Sequence, residues 1–167
     1  MVGIMVKFKK VKFMSEKINI IIDGNYLIHR DFSVWSTYYQ DRKKTAEENE
    51  NAIREALLDK EKQQVFLRKI IIDLCASVRR FSEQPDSVTI VIDSHSWRYK
   101  FYDDYKYALT RVRASYYQEF CQMIDTIEEY LRKKGMIVSR VAGAEGDDLL
   151  YIWSIYYTQV KCEPCVI

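Results

Sequence analysis

Acidic side chains close each of the strongly apolar stretches of this 167-residue chain. Asp23 follows Ile20-Ile21-Ile22, Asp93 follows Ile90-Val91-Ile92, and Glu145, Asp147 and Asp148 follow Ile137-Val138 after a short turn. If a fold gathered these acids, they would repel. Two unit charges about 4 Å apart cost roughly 4 kcal/mol at an effective dielectric of 20. Such a cluster requires protons or cations, and an all-oxygen donor set favours Mg²⁺ or Mn²⁺ over zinc. Two such ions, about 3.5–4 Å apart, suit hydrolysis of a phosphodiester. Each acid also has a structural reading. An Asp after a strand commonly caps the next helix or turn, and Glu145, Asp147 and Asp148 suit the positive end of a helix dipole. Only convergence of all three segments raises the metal reading above the structural one.

A second chemistry-bearing stretch lies between Asp93 and Arg113. It contains Trp97, Arg98, Tyr99, Lys100, Phe101, Tyr102, Tyr105, Lys106, Tyr107 and Arg111, diluted by Asp103 and Asp104. Aromatic rings stack on unpaired bases, at about 1–3 kcal/mol each. Arg and Lys hold phosphates. The alternative is a small helical hairpin whose tyrosines pack on the domain. His29 and His95 have no partner motif and read as structural.

The elements that must position these groups follow from periodicity. Residues 17–22 and 87–92 are β-branched runs that read as buried strands. Residues 136–141 read as a third strand. Between them, 26–40, 65–81 and 114–134 read as helices, with Phe66, Ile70, Leu74 and Val78 marking one apolar face. Gly135 suits a helix C-terminus. Residues 41–60 are charge-rich and suit a solvated helix or a mobile connection. A turn over 143–148 opens a last helix over 149–157. Strands alternating with helices imply an α/β fold with a parallel sheet and right-handed crossovers. In such sheets, sites form beyond the carboxyl ends of the strands, where all the acids fall.

Composition removes several classes. An apolar fraction of 48% with 14% aromatics excludes a disordered chain. No run of about 18 apolar residues suggests a membrane span. The net charge of +2 carries no strong preference for a partner. No glycine-rich phosphate loop is present. The lysine-interrupted start (Lys7, Lys9, Lys10, Lys12) is unlike a secretory signal, so a cytoplasmic location is expected. Without a secretory context, Cys75, Cys121, Cys162 and Cys165 do not suggest disulfides, and the lone Cys162-x-x-Cys165 reads as incidental.

Three blocks carry a family resemblance: IIIDGNYLIHR around Asp23, VIDSHSWRYKFYDDYK from Val91, and AGAEGDDLL from Ala142. In order and spacing over about residues 18–157 they resemble the 5′–3′ exonuclease and flap endonuclease superfamily. They are most similar to phage-type ribonuclease H and the 5′-nuclease domain of bacterial DNA polymerase I. The resemblance implies a three-layer, PIN-like (Rossmann-like) α/β fold with a mainly parallel central sheet. It implies an extension over 1–16, a nuclease domain over 17–160 with a helical arch over about 94–113, and a tail over 161–167. It implies that Asp23, Asp93, Glu145, Asp147 and Asp148 bind two Mg²⁺ (or Mn²⁺) ions directly or through water. Arg98, Lys106 and Arg111 would steer the scissile phosphate or 5′ strand, and Tyr102 and Tyr105 would stack on or wall it. The expected activity is 5′–3′ exonuclease or flap endonuclease cleavage with ribonuclease H-like primer removal. Its substrate would be DNA or an RNA–DNA hybrid with a free 5′ end or flap.

Two features depart from the family pattern. Gly146 stands where the family carries Ala. The strand ending in Asp-x-Asp and the duplex-gripping helix-hairpin-helix that should follow do not follow Asp148 in this sequence. The sheet would then be incomplete, and the chain reads as the N-terminal part of a nuclease. Two alternatives stay open. One is a catalytically incomplete fragment that binds single strands, or pairs with a second chain or a single-strand-binding protein. The other is a PIN-type ribonuclease that does not need the 97–111 segment.

Overall fold

The computed structural model describes residues 18–102 and 114–167. The expected extension over 1–16, the arch beyond Tyr102, and the candidates Tyr105, Lys106 and Arg111 lie outside the described residues.

The β-branched runs form the centre of the sheet. β1 (Asn19–Asp23) pairs in parallel with β2 (Ser87–Val91), from Asn19 opposite Ser87 to Asp23 opposite Val91. β3 (Ile137–Ser139) adds in parallel outside β2, and β4 (Cys165–Val166) adds in parallel outside β1. The order is β3-β2-β1-β4. Every pairing is parallel, so all carboxyl ends face one rim.

Alternation along the strands splits the core in two. Ile90, Ile92 and Val138 face one side, where they meet α1 (Gly24–Thr37), α3 (Lys60–Arg79) and α4 (Tyr117–Lys133) through Leu27, Phe32, Phe66, Ile70, Phe120 and Ile127. Ile21 and Val91 face the other side, where Leu149 of α5 (Gly146–Ile155) and Tyr157 cover them. Helix, sheet and helix therefore make three layers, the α/β architecture that the sequence implies.

Several boundaries differ from the periodicity reading, each for a local reason. The polar stretch 41–60 contains a well-capped helix, α2 (Ala46–Leu58). Thr45 Oγ1 accepts from Glu48 N while Glu48 Oε2 accepts from Thr45 N, a reciprocal cap. Ile53, Ala56 and Leu57 are its buried face, too narrow a stripe to stand out among its charges. α3 begins five residues earlier than its apolar pattern does, because Asp59 accepts from Glu61 N and Lys62 N. α5 starts at Gly146 rather than at 149, with Glu145 as its N-cap.

The residues expected to be a tail, 161–167, instead hold the sheet's outer strand. Asn19 explains this. Its backbone N–H donates to Pro164 O at 3.1 Å and its side chain donates to Glu163 Oε2 at 3.0 Å. Asn19 Oδ1 accepts from Ser87 Oγ, which with Thr89 Oγ1 also meets the buried Tyr157 hydroxyl. A polar network at the amino ends of the strands thus fastens α5 and β4 to β1.

Gly24 lets α1 leave β1 immediately. A Cβ there would lie 2.6 Å from Val91 O and 2.8 Å from Ile90 Cγ2. Gly24→Ala should therefore lower stability by about 1–3 kcal/mol, the usual cost of overpacking. Denaturant unfolding followed by circular dichroism measures this; an unchanged midpoint would refute the close approach.

Candidate active site

The rim is assembled by backbone contacts before any side-chain chemistry enters. Beyond β2, Ile92 N donates to Ser139 O at 2.9 Å, Ser94 N to Ala144 O at 3.0 Å, and Trp97 N to Gly143 O at 2.7 Å. These bonds lay the segment after β2 along the turn that opens α5. Asp93 is held between them. Its N–H donates to Asn25 Oδ1 at 3.2 Å, and its carbonyl accepts from Arg140 Nε at 3.1 Å. Residues from the ends of β1, β2 and β3 are thereby drawn to one point.

Four of the five acids then meet protein partners. Asp23 Oδ1 accepts from Tyr26 N at 2.9 Å and caps α1. Asp93 Oδ1 accepts from Gly146 N, the first N–H of α5. This contact explains Gly146, because a Cβ there would sit 2.6 Å from Asp93 Oδ1. The position read as a minor departure from the family pattern is where Asp93 comes closest to the helix.

Arg98 makes the densest contact of the rim. Its Nη1 donates to Asp148 Oδ2 at 2.8 Å and its Nη2 to Asp148 Oδ1 at 2.7 Å, a two-pronged pair. Nη1 also reaches Glu145 Oε2 at 3.3 Å. Asp148 Oδ2 accepts in addition from Glu145 N at 3.2 Å, closing the first turn of α5. The Arg98 guanidinium, helped by the Glu145 N–H, holds the Asp148 carboxyl down at about 2. Asp147 projects into solvent from the same turn.

The structure thus brings Asp23, Asp93, Glu145 and Asp148 to one rim, as the sequence implies. It does not bring their carboxylates together. Among the described residues no three carboxylate, imidazole or thiolate groups form a set that could hold a metal ion. The donor chemistry suits a hard divalent cation, but the present arrangement does not, because each acid is turned onto a protein partner.

The segment after Asp93 begins as a short 3₁₀ turn, Trp97–Lys100, capped by the buried Ser96, whose Oγ accepts from Arg98 N at 3.2 Å. Its rings do not pack into the core: Trp97, Tyr99, Phe101 and Tyr102 are all exposed. His95 stacks on Tyr99 with centroids 4.8 Å apart, and Arg98 lies over the Trp97 ring at 4.9 Å.

Four participants escaped the sequence reading. Asn25, Arg140 and Gly146 hold Asp93, and no spacing rule points to them. His29, read as structural, meets Phe120 edge-on and lies within electrostatic reach of Asp93 and Asp23. Burial lowers its pKa, and the two carboxylates oppose that shift. Its place six residues after Asp23, just under two helical turns on, was the available signal. The four cysteines are free thiols, and Cys165 lies in β4.

The low Asp148 value has a direct consequence. A carboxyl whose folded-state pKa is depressed stabilises the fold above its unfolded value, and that contribution disappears as pH falls through the folded value. For Asp148 the window runs from about pH 4 down to about 2. A carbon-detected NMR titration should place Asp148 at about 2 in the wild type and clearly higher in Arg98→Ala, where the Glu145 N–H alone still lowers it. An unmoved midpoint would show that Arg98 is not its partner in solution.

Comparison with known proteins agrees with this layout. No curated protein matches the chain. A family model, described as the 5′–3′ exonuclease N-terminal resolvase-like domain, matches residues 19–167, from the first residue of β1 to the end of the chain. The chain is thus a member of the 5′–3′ exonuclease N-terminal, resolvase-like domain family.

Proposed function

We propose that this domain hydrolyses phosphodiesters near the 5′ end of DNA or of an RNA–DNA hybrid, as a divalent-metal-dependent 5′–3′ exonuclease or flap endonuclease with ribonuclease H-like primer removal. The observation that carries this reading is the meeting of three strand-end segments at one rim, bearing Asp23, Asp93, and Glu145 with Asp148. Family membership supports the nuclease class. The exposed rings of Trp97, Tyr99, Phe101 and Tyr102, springing from that rim, support a single-stranded substrate, since rings that pack into a core cannot stack on bases. Mg²⁺ or Mn²⁺, two ions in the fullest form of this reading, would be the cofactor, with Asp23, Asp93, Glu145, Asp147 and Asp148 as its donors. In the described arrangement Asp23, Asp93, Glu145 and Asp148 would first have to exchange their protein partners. Lys106, Arg111 and Tyr105 remain candidates for holding the substrate strand.

A second reading has its own observation. Beyond its acidic first turn α5 is mostly apolar, with Tyr151 and Ile152 exposed on it and Val160 exposed just beyond. Helices of that kind are ordinarily covered. This exposed apolar face suits a domain that completes its surface against a second polypeptide and works only with it.

Asp93→Asn separates these readings cleanly, because asparagine keeps an oxygen acceptor for Gly146 N and removes only the charge. With 5′-flap DNA and an RNA–DNA hybrid in Mg²⁺, the variant should lose at least about 10–100-fold in cleavage rate, the range seen even for residues that only support metal ligands. Cleavage undiminished in Asp93→Asn would refute the assigned site. Salt-sensitive binding of single strands without cleavage by the wild type would favour the second reading.

A further inference from the structure

We propose that the outer face of α5 is a self-association surface, on which the same helix of a second copy of this chain packs antiparallel. The inference rests on the second reading above and goes beyond it by naming the second polypeptide.

The helix is held so that this face cannot turn inward. Leu149 and Tyr157 are buried against Ile21 and Val91, with Leu150 and Trp153 packed beside them. The Tyr157 hydroxyl is fixed by Ser87 Oγ at 2.9 Å and Thr89 Oγ1 at 3.1 Å. The helix continues through a π turn over Tyr156–Val160. Tyr151, Ile152, Tyr156 and Val160 remain outside, between 36% and 68% exposed. From Leu149 to Val160 the chain carries no charged side chain. Single apolar residues on a surface are ordinary, but an uncharged strip along one helix marks an interaction site. The hydroxyls on this strip already suit burial. Ser154 Oγ donates to Tyr151 O and Thr158 Oγ1 to Ser154 O, both at 2.7 Å. A partner therefore does not have to supply acceptors for them.

Charge identifies the occupant. The strip has an acid at one end and a base at the other: Asp147 and Lys161, both exposed, lie seven residues either side of Ser154. A second α5 laid antiparallel across Ser154 brings Asp147 of each copy to Lys161 of the other, once at each end of the two-fold contact. A parallel pairing would set Asp147 against Asp147 and Lys161 against Lys161. Antiparallel packing also opposes the two helix dipoles. The strip is therefore complementary to itself. A lipid surface suits it less, because helices that lie on anionic membranes carry Lys and Arg beside their apolar face, and this helix opens on Asp147 and Asp148. Asp147 belongs to the first turn of α5, so the pairing also sets a cation from the second copy at the edge of the candidate active site.

Sedimentation velocity of the full chain over a concentration series tests the pairing, with circular dichroism confirming that each variant is folded. The wild type should show a reversible monomer–dimer equilibrium. Ile152→Asp should weaken it at least about tenfold, because it buries a charge in the strip. Asp147→Lys and Lys161→Asp should each weaken it about fivefold or more, since each puts like charges at both ends. Lys43→Asp, an equal charge change in the loop before α2, should leave it unchanged. Mixing Asp147→Lys with Lys161→Asp should restore dimers of near wild-type affinity, because opposite charges then meet again at both ends. A wild type that stays monomeric overturns the proposal, and one that instead sediments with phosphatidylserine vesicles gives the face to a membrane and overturns it too. So does a dimer indifferent to Ile152→Asp, or a mixture no tighter than either variant alone. Cleavage of 5′-flap DNA in Mg²⁺ at dilutions where the chain is monomeric would refute the second reading and leave the self-pairing standing. A chain that is monomeric and inactive would overturn the self-pairing and leave that reading in place.

Discussion

Mutual repulsion of carboxylates is the constraint around which this molecule is arranged. A parallel sheet with acids at its strand ends concentrates negative charge on one rim. In the described structure Asp23, Asp93, Glu145 and Asp148 each meet a hydrogen-bond donor of the protein. The N–H groups at the starts of α1 and α5 take Asp23 and Asp93, and Arg98 takes Asp148 and Glu145. Helix starts are well suited to this, since their N–H groups lack intrahelical partners and carry partial positive charge. The fold therefore meets its electrostatic cost with elements it needs anyway.

That solution depends on close backbone approach. Asp93 reaches α5 only because position 146 has no side chain, and α1 can start at the sheet only because position 24 has none. The bonds from Ser94 and Trp97 to the 143–144 turn then fix the distance between Arg98 and the start of α5. At the opposite ends of the strands, Asn19, Ser87, Thr89 and Tyr157 form the polar network that fixes the far end of α5's path and β4. The helix that carries Glu145 and Asp148 is thus held at both ends, so its acids have a defined place relative to β1 and β2.

This two-ended support explains which parts were legible in the sequence. β1, β2 and the acids after them were readable because β-branched runs and the charges that end them are local signals. The apolar face of α3 was readable for the same reason. α2 was obscured because its charges outnumber its three buried residues, although Thr45 and Glu48 carried a usable capping signal. β4 was not legible, because nothing in Cys165-Val166 marks a strand apart from Asn19, some 145 residues away, bonding to Glu163 and Pro164. Gly146 was visible as a departure, but its reason is a contact with Asp93 across 53 residues. His29 was dismissed for want of a partner motif, and its neighbours Asp23, Asp93 and Phe120 are tertiary. Residue types predicted which groups gather. They could not predict what each group would bond to once gathered.

That last distinction bears on how such a rim can exist at all. A rim rich in carboxylates must survive folding, when its charges have the least compensation. Partners that are strong but replaceable resolve this. A helix N–H or a guanidinium satisfies a carboxylate oxygen without filling a closed cage, and neither is covalently committed to it. Among these partners Arg98 alone carries a full charge, and its backbone is pinned by Trp97 N on Gly143 O and by its own N–H on Ser96 Oγ. The N–H groups of Tyr26 and Gly146 cannot leave without unwinding a helix.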